Sequence, residues 1–245
     1  MNCLSKFENF YKEAKQNRWV LWFSYFNRVA LAAGFLPAGY VKVVDERFAS
    51  GLSVIHPMGA YLTAFWQTGY YYTFVGIMQI IAAILLLIPR TVTLGVLLYF
   101  PIILNIFILS YSVRFDGSLL TSPLMTLSCI FLLCWKYDRI KSILPFKNPQ
   151  PVRLPDPVQY SNKFPVNFFL ISLTAFFLVV VGVFSMGNLA VMPRNTISFC
   201  NEQFKGTTRE KAGGDFCECV HVKGKPLEDC LEEYEVSVQN LSRDD

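Results

Sequence analysis

Charge is scarce in this chain. Only 16% of the 245 residues are charged against 53% hydrophobic, too little polar surface to clothe a soluble globule of this length. Acidic residues are missing from the most apolar sequence, with none between Glu13 and Asp45 or between Glu46 and Asp116. That disfavours proton-coupled transport, which relies on intramembrane carboxylates. Histidine is limited to His56 and His221, so a histidine-ligated haem pair inside a bilayer lacks ligands. The sequence contains no Gly-x-Ser-x-Gly, no His-Glu-x-x-His and no phosphate-binding glycine-rich loop before a helix. It also lacks the Cys-x-x-Cys of thioredoxin-type redox proteins. Catalysis by this chain alone is therefore not expected. The first twenty residues carry charges throughout and have no apolar core followed by a small-residue cleavage site, so no cleavable signal peptide is expected.

What is present is long apolar sequence. Five runs, Phe26 to Val44, Tyr70 to Ile88, Val92 to Val113, Leu119 to Trp135 and Val166 to Gly187, each approach the ~20 residues that cross hydrocarbon as a helix. They are continuous and not alternating, which excludes a strand-based barrel. The expected fold class is an all-α integral membrane protein. The formal net charge of +4 does not point to nucleic acid, because the basic residues sit at the ends of the apolar runs. Lys6, Lys12, Lys15 and Arg18 precede the first run, and six basic residues against Asp138 and Asp156 occupy the loop from Lys136 to Lys163. Both stretches are expected to face the cytoplasm. The tail from Asn188 to Asp245 has seven basic and eleven acidic residues, a difference of −4, as expected of translocated sequence. The expected topology has the N-terminus inside and the C-terminus outside.

Within that frame, residues 1–24 read as an interfacial amphipathic helix, with Leu4, Phe7, Tyr11 and Ala14 at helical spacing and Trp19 and Trp22 at headgroup level. Residues 25–144 form the main bundle, 145–165 a proline-rich cytoplasmic linker, 166–187 an appended fifth span and 188–245 the tail. Between the first two spans, the broken aromatic stretch from Asp45 to Gly69 suits a short re-entrant or interfacial helix. Arg28, Gln79 and Asn105 lie inside spans and must find partners there. For Arg28 these are lipid phosphates reached by snorkelling or Asp138 as counter-charge; for Gln79 and Asn105, hydrogen bonds between helices. Pro101 is expected to kink the third span.

Lys42, Asp45, Glu46, Arg47, His56, Arg114 and Asp116 fall near the outer ends of the spans and form a candidate cluster. Such a group can relay protons or hold a polar headgroup such as a quinone carbonyl; equally, it can be ordinary exposed ion pairs. Of seven cysteines, Cys3 is cytoplasmic, and Cys129 and Cys134 are expected to be buried apolar side chains in the fourth span. Cys200, Cys217, Cys219 and Cys230 lie in the exported tail, where an even number reads as two disulfides, the 217–219 pairing being disfavoured by geometry. An exchangeable thiol pair and a four-cysteine metal site are the sharper alternatives. The spacing lacks the paired motif of a zinc ribbon, so no metal is assigned.

The run from Arg28 through Gly39-Tyr-Val-Lys42, the stretch Gly76 to Gln79, the helix end at Pro89-Arg90, and Gly95 with Pro101-Ile-Ile-Leu-Asn105 together resemble the DoxX-like membrane proteins over about residues 25 to 145. The resemblance implies a four-helix transmembrane bundle, here extended by a fifth transmembrane helix and a small disulfide-stapled extracytoplasmic tail. It puts forward Arg28, Lys42, Gln79, Pro89, Arg90 and Asn105 as positions to test. It also implies a bacterial inner-membrane location and a link to quinone-coupled or disulfide-handling enzymes, with quinone as a candidate cofactor. Three roles follow as expectations: an accessory or anchor subunit with a membrane-protein partner or a second copy, a quinone- or thiol-linked redox component, and a small-solute transporter.

Overall fold

The computed structural model describes residues 11, 13–141 and 160–244. Lys6, Lys12, Cys3, Leu4, Phe7 and most of the proline-rich linker lie outside the described residues. Among those described, regular structure is helical, and the single β-bridge, Asn17 to Ser161, is isolated.

Helix α1 (Arg18–Val43) starts where Asn17, in an extended conformation, accepts a hydrogen bond from the Trp19 amide, satisfying one of the first-turn N–H groups that a helix leaves unpaired. Trp19 and Trp22 thus belong to the first long helix, which begins well before the apolar run at Phe26. A short helix α2 (Pro57–Trp66) follows, with His56 as cap and proline in its first turn; this is the short helix expected between the first two runs. Helices α3 (Tyr70–Leu87), α4 (Val92–Ser112) and α5 (Thr121–Trp135) then run in alternating directions, and a five-residue turn, α6 (Tyr137–Lys141), closes the bundle. Helix α4 continues through Pro101. After the linker comes α7 (Val166–Leu189). Of these, α3, α4 and α7 are long and apolar enough to cross a membrane, and α5 is a shorter apolar helix.

The bundle core joins Leu31 and Phe35 of α1, Ala82, Ala83 and Leu86 of α3, Val96, Tyr99 and Ile103 of α4, and Cys129 and Leu132 of α5. At its centre Phe35 stacks on Tyr99 with ring centroids 3.5 Å apart, while the Tyr99 hydroxyl donates to the Leu31 carbonyl. Helices α1 and α3 approach most closely at two glycines. A Cβ on Gly39 would lie 2.8 Å from the Gly76 carbonyl, and one on Gly76 would lie 2.8 Å from the Gly39 carbonyl. Small residues at a crossing let backbones meet.

Helix α7 buries none of its residues. It meets the bundle at its foot, where Phe168 and Phe169 pack edge-on against Phe23 and Phe168 lies near Phe131. At its far end the chain enters a small helical module of α8 (Ile197–Glu202), α9 (Glu210–Glu218), a π-turn (Cys219–Lys223) and α10 (Leu227–Asp244). Disulfides Cys200–Cys217 and Cys219–Cys230 staple it around Phe204, Phe216, Val220 and Tyr234. So few residues bury little apolar surface, and cross-links offset that deficit.

Candidate functional site: the seam between bundle and tail

The polar residues inside the bundle are occupied by its own backbone. Arg28, 6% exposed, donates through Nε to the Leu86 carbonyl at 2.6 Å and through its guanidinium to the Leu87 carbonyl at 2.7 Å. It caps the end of α3, whose last carbonyls have no helical acceptor role to fill and carry the negative end of the helix dipole. Asp138 is not its counter-charge. That carboxylate instead pairs with Lys15 and accepts from the Tyr11 hydroxyl. Lys42, also buried, donates to the Ala38 carbonyl at 2.9 Å and sits over the Phe48 ring at 4.5 Å, a cation–π contact that partly replaces water. Gln79 is buried beside Gly39, and its Oε1 accepts no hydrogen bond. Arg90 is exposed in the α3–α4 turn, its carbonyl accepting from Arg139. Asn105 faces outward and bridges no helices. Cys129 is buried as expected, whereas Cys134 is exposed.

The outer cluster divides. Asp45 is exposed, with φ of 60°, and only its backbone is used, as acceptor for the Trp66 indole. Arg47 turns back to the Ser50 and Leu52 carbonyls. His56, Arg114 and Asp116 do come together, and they meet residues of the tail that no local pattern in the sequence marks. Arg114 donates to the Val191 carbonyl. Asp116 faces Arg194 at 3.7 Å, longer than a hydrogen bond. His56, fully buried, lies with its ring centroid 5.6 Å from that of His221, so the chain's two histidines, 165 positions apart, are neighbours. His221 in turn bonds the Pro193 carbonyl through Nε2 at 2.6 Å. Beside them Gly224, with φ of 63°, brings the tail backbone against Ile55 so closely that a Cβ would sit 2.8 Å from the isoleucine side chain.

This seam is under-bonded. His56 Nδ1 accepts from the Met58 amide as cap of α2, but Nε2, directed toward the Arg194 backbone, makes no well-formed hydrogen bond. Asp116 Oδ2 and Arg194 Nε are also buried without hydrogen-bond partners. Arg114 and Arg194 both hold left-handed backbone, φ of 49° each, a conformation that side chains other than glycine adopt at a cost. Burial, and then the neighbouring His221, push the His56 imidazole down to about 4. Burial raises the Asp116 carboxyl, against the lowering influence of Arg194.

The four tail cysteines are paired and at most 2% exposed, which disfavours attack by an incoming thiolate. Next to the Cys219–Cys230 bridge, a cleft of about 830 Å³ is lined by Phe216, Lys223, Lys225, Asp229, Glu233 and Tyr234 among others, with Lys225 paired to Glu233. Among the described residues no group of three or more histidine, cysteine or acidic side chains is placed to hold a metal ion.

An uncharacterised protein of Bacillus subtilis, YwoB, is 38% identical to this chain over 111 residues, a match spanning 43% of this chain and 71% of the relative. No family model matches the chain, and no solved structure does.

Proposed function

The chain belongs to the same family as the uncharacterised YwoB, and from its own residues and fold we propose that it is a multi-pass membrane protein of DoxX-like type serving as an accessory or anchor subunit of a membrane-bound assembly. In this reading α1 and α5 cross the bilayer beside the three long apolar helices. The end carrying Lys15, Arg18, Lys136, Arg139 and Lys163 faces the cytoplasm, and the acidic, stapled tail lies outside the inner membrane. The observation that carries the role is the docking of that tail on the bundle through His56, Arg114 and Asp116. It turns the bundle into a platform that presents a cross-linked module at a fixed position. Arg28 and Lys42, the buried cations of the bundle, are already bonded to backbone carbonyls, which supports a supporting role over a transport path. Burial of all four tail sulfurs weighs against thiol exchange.

The test is extraction of the full chain from its native membrane in mild detergent without reductant, followed by mass spectrometry. A stoichiometric protein partner, lost when the tail is removed by an engineered protease site after Leu189, is the expected result. Retained quinone with no partner would replace this reading with the redox one, and solute flux in liposomes containing the chain alone would replace it with transport.

A further inference from the structure

Three of the five buried side-chain nitrogen or oxygen atoms that lack a partner among the described residues, His56 Nε2, Asp116 Oδ2 and Arg194 Nε, gather at one seam. Buried polar groups left unsatisfied each oppose burial. Two arginines in left-handed backbone add to that cost at the same place. The tail is therefore held to the bundle by a contact that is specific yet poorly compensated. Its composition is also lopsided. His56 itself faces the His221 ring and the Arg194 backbone of the tail and, 6.3 Å away, the Phe115 ring of the α4–α5 turn, whose sequence neighbours Arg114 and Asp116 meet the tail at Val191 and Arg194. Asp116 is the sole carboxylate among these groups, and two of the others are permanent cations.

We propose that the His56–His221 contact is an acid-released latch: protonation of His56 undocks the tail module from the bundle. Because Nδ1 accepts from the Met58 amide, the neutral ring carries its proton on Nε2, and an added proton goes to Nδ1: it breaks the cap of α2 and places a cation in a buried site beside a second imidazole, with the seam's one carboxylate facing Arg194. Undocking exposes His56 to water, where its charge is solvated. The latch deepens the accessory-subunit reading, because it governs when the tail is fixed and when it can swing on α7.

The sign follows from the two states of His56. Docked, it resists protonation down to about 4; exposed, it takes up a proton near the ordinary 6.5. Docking is thus fully favoured above 6.5 and weakens as pH falls, approaching tenfold per pH unit through that window. By pH 5 the docking constant falls about 30-fold relative to pH 7.5. Asp116 acts the other way. Its raised carboxyl binds a proton more readily when docked, so it blunts the release at the acid end and does not cause it.

Spin labels on unnatural amino acids at Gln67, beside α2, and Glu228, in the tail, report the separation of the two bodies in the full chain in nanodiscs. The expected result is a single narrow distance at pH 7.5 that broadens and lengthens by pH 5, reversibly. In His56→Asn, whose side chain can still cap α2 but gains no charge, the narrow distance persists at pH 5. Ring-labelled histidine gives two magnetic-resonance signals, and in the wild type the His56 signal is expected to titrate together with the change in distance. A wild-type distance unchanged to pH 4.5, or equal release in His56→Asn, overturns the latch. Partner retention at pH 7.5 is scored separately, so loss of the latch and loss of the accessory role are distinguishable.

Discussion

Taking away the Arg28 guanidinium leaves the buried Leu86 carbonyl and the half-buried Leu87 carbonyl at the end of α3 without their donor. Arg28→Met is expected to lower stability by about 2–3 kcal/mol, the worth of hydrogen bonds from a charged donor, read by thermal unfolding in detergent. Arg28→Lys recovers part of this, since a single ammonium cannot span both carbonyls as the planar guanidinium does. At the α1–α3 crossing, Gly76→Val drives a side chain against the Gly39 carbonyl and Lys42. A loss of about 2 kcal/mol is expected from such overpacking, while the same change at Gly182, where an added Cβ meets nothing within 4 Å, is expected to be silent. The sequence marked Arg28 as a residue in need of a partner but could not say which. Backbone carbonyls at a helix end have no signature in the amino-acid string, whereas Asp138, an obvious candidate by charge, was taken by Lys15 and Tyr11.

For the elements, length and apolarity were legible. The runs from Tyr70, Val92 and Val166 became α3, α4 and α7 with bounds within about two residues, because the ~20-residue requirement of a bilayer leaves little freedom. The start of α1 was not, since Arg18, Trp19 and Trp22 look interfacial by composition yet are recruited into the helix by the Asn17 cap. In the tail, four cysteines announced cross-links without pairing them. The observed bridges close segments separated by 17 and 11 positions, each worth about 3 kcal/mol in the loop-entropy picture. Reduction under denaturing conditions followed by refolding with reductant present is expected to leave the tail unfolded and the bundle intact. Hydrogen exchange mapped by peptide checks this: fast exchange across 197–240, unchanged protection across α3 and α4.

At the scale of the whole molecule, what sequence withheld was the seam. His56 and His221 meet across 165 positions, Arg114 reaches a backbone carbonyl at Val191, and neither event leaves a periodicity or spacing to detect. The histidines' rarity was the one usable hint. Arg114→Ala removes the bond to Val191 without touching the core, so amide exchange around residues 191–194 and 219–224 is expected to quicken about tenfold at pH 7.5, with the thermal transition of the bundle unmoved. Equal protection in this variant would mean that the seam does not depend on Arg114.

Helix α7, joined to the bundle at its foot and bare along its length, has one more implication. It is a tether of about 36 Å at the rise of an α-helix, and a tethered module re-encounters its dock at an effective concentration on the order of millimolar. A contact as poorly compensated as the seam can therefore hold without intrinsic strength. Any soluble competitor for that surface must match millimolar occupancy, whereas a competitor confined to the same bilayer starts on equal terms.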